Sequence, residues 1–188
     1  MPHFRNILLA IILVVTVPLV LVTGCKGSGF VTYTQKAGPA HFSFEYPSTY
    51  KVYSSDVSDA QIQLAFTDNT TSSQEPSQQT WLKIDVFPVD AGTPDAATAF
   101  ENEASAVGLL AADIHTIEQL STTVVGVQGN GVAMQYRLEE DSPPIVVRLI
   151  YFSKSGMIYG VHAGSNPENA EGSKAAFDNL LKTFKILD

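Results

Sequence analysis

The chain is short of cysteine, of tryptophan and of positive charge. It has one Cys and one Trp, and 11 Lys and Arg stand against 19 Asp and Glu in 188 residues, a formal net charge of −8 at pH 7. A lone thiol excludes an internal disulfide, so stability has to come from packing. The scarcity of Lys and Arg leaves no basic stripe to neutralise phosphates, which excludes nucleic acid as a partner. Patterns that carry chemistry are missing too. No G-x-S-x-G presents a serine nucleophile, no H-E-x-x-H places two imidazoles one helical turn apart, and no G-x-G-x-x-G opens a helix. The expectation is a noncatalytic protein with no catalytic, cofactor-binding or metal-binding residues.

What is present begins at Cys25. Arg5 precedes an apolar run from Ile7 to Val22, interrupted only by Thr16 and Pro18, and the run closes on Val22-Thr23-Gly24-Cys25. As a helix it would span ~24 Å, short of the roughly 30 Å hydrocarbon core of a bilayer. No cluster of Lys or Arg follows to stop transfer. A positive start, an apolar middle and small residues before a cut make an export signal. Because it ends in a thiol, it resembles a bacterial lipoprotein signal. That resemblance implies that Cys25 is diacylated and becomes the new N-terminus.

The expected organisation is a signal peptide over 1–24, a short lipidated tether over 25–29 and a single domain over 30–188. The expected location is the extracytoplasmic face of the cell membrane or the outer membrane. Two acyl chains anchor stably, at ~0.8 kcal/mol per buried CH₂. Loss of Arg5 with the leader takes the net charge from −8 to −9. Such a domain is repelled by anionic lipid and does not spread on it.

Most of the remaining chain reads as strand. Phe42, Phe44 and Tyr46 alternate with His41, Ser43 and Glu45, and Pro47 ends the run because it lacks a ladder donor. Tyr50 to Ser54 and Gln61 to Thr67 follow as short strands. Asp68 to Gln79 is rich in Asn, Thr, Ser and Gln and reads as a loop. From Trp81 to Val89, Leu82, Ile84 and Val86 alternate with Lys83 and Asp85. A helix is predicted from Thr93 as N-cap, with Pro94 at its first position, Asp95 at its positive end, Ala97, Phe100, Ala104 and Val107 as its apolar stripe and Gly108 as its close. A strand follows over Ile117 to Val125. Gly129-Asn130-Gly131 is a turn signal. After it, Val132, Met134, Tyr136 and Leu138 alternate with polar neighbours up to an acidic, proline-rich connection at Glu140 to Pro144. Ile145 to Phe152 is nearly continuous apolar and predicts a strand covered on both faces. Lys154-Ser155-Gly156 turns into a strand over Met157 to Ala163. The last helix opens on Asn166-Pro167 and buries Ala170, Phe177, Leu180, Leu181 and Phe184. Hairpin strands with two helices give an α+β fold, an antiparallel sheet flanked by helices.

Two stretches carry a resemblance. Phe42-Ser43-Phe44-Glu45-Tyr46-Pro47-Ser48-Thr49-Tyr50 resembles the opening of PsbP-like and Mog1-like domains. Phe177-Asp178-Asn179-Leu180-Leu181-Lys182-Thr183-Phe184 is similar to their closing helix. The family implies an α/β/α sandwich and no single activity. PsbP proteins are extrinsic subunits of photosystem II, and Mog1 binds a small GTPase.

Candidates for chemistry are few. His41, His115 and His162 are far apart in sequence, and His162 alternates with Val161 and Ala163 as a polar strand-face residue would. A metal site assembled from them by folding would need clustered ligands that the spacing does not supply. Glu139-Glu140-Asp141 is the densest acidic cluster, and its oxygens could take Ca²⁺ or Mn²⁺. It lacks the EF-hand pattern, however, and sits where solvated charge belongs. Trp81, at the start of an alternating strand, reads as partly buried packing and less as a binding aromatic.

Two functions follow. The first is a membrane-tethered, noncatalytic protein-binding or complex-assembly module with an envelope protein as partner. The alternative is an envelope carrier of a small ligand or metal. An exposed apolar patch would favour the first and a pocket with convergent His and carboxylates the second.

Overall fold

The computed structural model describes residues 29–68, 80–90, 92–93 and 95–188. The expected signal peptide, Cys25 and nearly all of the Asp68 to Gln79 loop lie outside the described residues. Ten strands and two helices run in the order β1 (Phe30–Gln35), β2 (Phe42–Pro47), β3 (Lys51–Val57), β4 (Ile62–Thr67), β5 (Trp81–Pro88), α1 (Ala96–Leu110), β6 (Ala112–Val124), β7 (Val127–Arg137), β8 (Ile145–Lys154), β9 (Met157–Ser165), a short 3₁₀ turn at Pro167–Asn169, α2 (Ala170–Thr183) and β10 (Lys185–Ile186). Seven strands form an antiparallel sheet in the order β3-β4-β5-β9-β8-β7-β6, and β1-β2-β10 form a small second sheet.

Each face of the large sheet has its own cover. On one face, Ile62, Leu64, Phe66, Leu82, Ile84, Val86, Phe152, Tyr159 and Val161 meet Phe42 and Phe44 of the small sheet and Ala176, Phe177 and Leu180 of α2. On the other, Val132, Met134, Val147, Leu149, Tyr151 and Ile158 pack under Ala99 of α1. The α+β expectation holds, with helices on opposite faces. Strand β8 lies inside the sheet and is buried at every position from Ile145 to Phe152, as its apolar run predicts.

The opening and closing motifs meet. The Phe184 ring stacks on Phe42 at 5.4 Å and on Phe44 at 6.1 Å. The Glu45 backbone N–H donates to Thr183 Oγ1 at 2.9 Å, and Thr183 in turn donates to the Asn179 carbonyl. Repeated aromatic and Thr positions in those two stretches thus serve one junction between β2 and the end of α2.

Several expectations need correction. Gly129-Asn130-Gly131 is not a turn; it lies inside β7, paired with Thr122, Ser121 and Leu120. The turn is Val125-Gly126, with both φ angles positive at 46° and 79°, the conformation that a two-residue hairpin demands. Gly131 is there for close approach, since a Cβ would overlap the Leu149 carbonyl oxygen of β8. Ser155-Gly156 makes the same kind of turn between β8 and β9, as the sequence predicts.

Helix α1 starts later and ends later than expected. Asp95, and not Thr93, is the N-cap, its side chain accepting from Thr98 N–H at 2.8 Å. Gly108 does not close the helix, which runs on to Leu110 with Ala111 as its cap. Ala97 faces solvent, while Ala99 is buried and Ala96, Phe100 and Val107 flank it. Strand β6 begins at Ala112, and Leu138 lies beyond β7, exposed.

Candidate functional site

Two places on the large sheet combine accessibility with unusual chemistry. The first is the free edge at β6. This strand is 13 residues long, has β7 on one side only, and is exposed over most of its length. Its first half is irregular. The register slips between Ala112 and His115 and again between Thr116 and Glu118, and Asp113 takes a φ of 50°. Bulges of this kind blunt an edge against pairing. From Glu118 to Val124 the pairing is unbroken and only Glu118 is charged.

Beside that edge runs a groove of about 490 Å³ between β6 and α2, lined by Leu120, Thr122, Ile150, Phe177, Leu181 and Lys182 among others. Its cause is in the sequence. On this face β7 presents Gly129, Gly131 and Ala133 by register, so no side chain of size fills the space between α2 and β6. Ile114 and Ile117 on β6 and Leu109 and Leu110 at the end of α1 are exposed large apolar side chains, as are Val52 and Tyr53 on the opposite edge strand β3.

The second place is a polar cup of about 300 Å³ on the opposite face, between β5 and α1. Lys83, Asp85, Phe87, Asn102, Glu103 and Tyr151 line it. Lys83 and Asp85 are two apart on β5, hence on one face, and Lys83 Nζ lies 2.8 Å from Asp85 Oδ2. The lysine side chain is 41% exposed and the aspartate 11%. Burial pushes the Asp85 carboxyl above its ordinary value, against the pull of Lys83. Its other oxygen, Oδ1, is buried without a hydrogen-bond partner among the described residues.

Beneath the cup lies His162 of β9. Its Nε2 is 3.2 Å from the Tyr151 hydroxyl and 3.6 Å from Asp85 Oδ2. Burial, helped by the Lys83 charge, pushes the imidazole down to about 3, so the ring is neutral. His162 and Asp85 are therefore close neighbours and not an ion pair. Burial also raises the Tyr151 hydroxyl, with Glu103 and Asp85 adding to the effect. Gly160 makes room for this contact, since a Cβ there would come within 2.7 Å of the Tyr151 ring and 3.1 Å of His162 Nε2.

The residues singled out in the sequence do not converge. His41 is exposed at the start of β2 and His115 is exposed on β6, opposite Gln135. His162 lies on the strand face opposite Val161 and Ala163, as its alternation predicts, and is buried there beside Tyr151 and Asp85. Glu139, Glu140 and Asp141 are exposed in a turn that Ser142 closes through the Glu139 backbone. Trp81 is partly buried, its ring occupying the space over Gly164, in keeping with packing. Among the described residues no group of three or more His, Cys, Asp or Glu is placed to hold a metal ion. Asp85, Lys83, Tyr151 and Glu103 escaped the sequence reading. The only available signal was two ionisable residues on the polar side of a strand whose neighbours prove to be covered.

No family model and no curated protein sequence matches this chain. Solved structures do. Cyanobacterial PsbP (CyanoP) from Synechocystis superposes with a TM-score of 0.56 at 10% identity, over 87% of this chain and 96% of that one. LpqN, involved in cell envelope biogenesis of Mycobacterium tuberculosis, gives 0.55 at 10% identity over 86% and 93%. A structure from Bacteroides thetaiotaomicron gives 0.51 at 12% identity, covering 84% of this chain and 48% of that one. At these identities the likeness is one of fold, and the fold is PsbP-like.

Proposed function

We propose that this protein is a membrane-tethered, extracytoplasmic lipoprotein that works as a noncatalytic binding or assembly module, and that it takes hold of another envelope protein along the β6 edge. The observation that supports this reading is the uninterrupted, nearly uncharged stretch Glu118–Val124 on an open sheet edge, flanked by a groove under α2 in which Leu120, Ile150, Phe177 and Leu181 lie among polar side chains. An extended segment of a partner adds to such an edge through main-chain hydrogen bonds. Side chains on one of its faces then seat in the groove. The exposed Ile114 and Ile117 add apolar surface along the same strand.

Among the described residues no helix is long and apolar enough to cross a membrane. Anchoring in this reading comes from acyl chains on Cys25 and a tether of a few residues. Confinement near the bilayer raises the effective concentration of the domain toward membrane-bound partners. LpqN, one of the proteins of like fold, is involved in cell envelope biogenesis, which agrees with a role at that location.

The test is a photoreactive residue placed at Ser121 on β6, and separately at Tyr53 on the opposite edge strand β3, in living cells. A discrete protein adduct from Ser121 and none from Tyr53 is the expected outcome. Adducts of equal yield from both edges, or none from Ser121, would remove the β6 edge as the recognition surface.

A further inference from the structure

We propose that the polar cup between β5 and α1 is a binding site for a guanidinium group, held by the Asp85 and Glu103 carboxylates beside Phe87 and Tyr151. The site lies on the opposite face of the sheet from the β6 groove, and the inference does not depend on the assembly reading.

Charge comes first. The cup has two carboxylates and one ammonium, in a chain of net charge −8, so an anion is repelled and a cation attracted. Asp85 is only 7% exposed, and one of its oxygens has no hydrogen-bond partner among the described residues. A buried, under-bonded carboxylate is costly and gains most from an added N–H donor. Lys83 already shows the sort of charge that Asp85 accepts, but a single ammonium reaches only Oδ2.

Shape and donor count separate the cations. A metal ion would need more carboxylate or imidazole ligands than the cup brings together. The acceptors present are the two carboxylates, the Gln63 and Asn102 amide oxygens and the Thr93 and Tyr151 hydroxyl oxygens, spread around one space. A guanidinium carries five donors in a plane, is weakly hydrated, and stacks on aromatic rings as an ammonium does not. It can bridge two carboxylates while lying against Phe87 or Tyr151. A ligand approaches Asp85 by displacing Lys83, whose half-exposed side chain has solvent to move into. Lys83 is thus an internal competitor.

The probes are agmatine, the pentapeptide Gly-Gly-Arg-Gly-Gly, and the same peptide with citrulline, a neutral isostere, in place of arginine. Each is titrated calorimetrically into the full chain in detergent. Saturable binding of agmatine, of the arginine peptide or of both is expected, with none of the citrulline peptide. Agmatine alone would identify a free small cation as the natural ligand, and tighter binding of the peptide an arginine of a protein. Asp85→Asn and Glu103→Gln should each weaken binding at least tenfold, while Lys83→Met should tighten it severalfold. The rise with Lys83→Met is a sign that a merely structural ion pair would not produce. Glu103 lies on the outer helix, so its variant keeps the test valid if Asp85→Asn fails to fold. Equal binding of the citrulline peptide, no saturable binding of either arginine probe, or wild-type affinity in Glu103→Gln would overturn the proposal.

Discussion

The residue that most repays attention is His162, because its neutrality has a measurable sign. Its ordinary value of 6.5 is pushed down to about 3 by burial. As pH falls through 6.5 the unfolded chain takes up a proton that the folded chain refuses. The stability tied to this group is complete above that pH and is lost on acidification, at about 1.4 kcal/mol per pH unit. Asp85 acts in the opposite sense. Its raised carboxyl takes up a proton earlier in the folded state than in the unfolded chain, so it offsets part of the loss as pH falls. We therefore expect up to about 2 kcal/mol of stability to disappear between pH 7 and pH 5. His162→Gln, which keeps a partner for Tyr151, should flatten that slope. Parallel melting curves of the two proteins across this range would show that the imidazole is not the cause.

Among the elements, the glycines in and before β7 and Phe177 of α2 make the sharpest contrasts. Gly131→Ala would drive a Cβ into the Leu149 carbonyl and open the β7–β8 ladder, whereas Gly126→Ala meets no atom within 4 Å and only strains a φ of 79°. The second should cost roughly 1–2 kcal/mol and the first several times more, to the point of misfolding, as read by thermal melts. Phe177 is 2% exposed in the core against β9. Its truncation to Ala should cost ~3–5 kcal/mol, and an unresolved shift in melting temperature would remove α2 from the core. These positions also show what the sequence can disclose. Most of the strands, the two helices and the buried run of β8 were legible because periodicity records which face is covered, whereas the meeting of the two aromatic motifs shows only in the fold. Gly129-Asn130-Gly131 was misread because a turn dipeptide is a local signal. What fixes Gly131 is contact with a neighbouring strand. The cup was invisible for the same reason: Lys83 and Asp85 alternate as solvent-facing residues do, and only α1 and β9, arriving later in the chain, cover them.

At the scale of the whole molecule, the reading as an anchored module has its own test. Cys25→Ala should abolish lipidation and release the protein from the membrane fraction while leaving its melting temperature unchanged. A variant that stays membrane-bound and is processed as before would reject the anchor. The arrangement of strands bears on how the chain would fold under the proposed export. Strand β5 has β9 as its neighbour, which is made only after α1, β6, β7 and β8, and β2 is completed by β10 at Lys185–Ile186. In the proposed export from the N-terminus, β2 and β5 emerge before β10 and β9, which complete their ladders. Phe44 of β2 and Phe66 of β4 can meet early, but Phe177, Leu180 and Phe184, which close the same core, arrive last. The core closes only when α2 and Lys185–Ile186 have emerged, so under the proposed export an escort for the uncovered faces is most valuable before that point and superfluous after it.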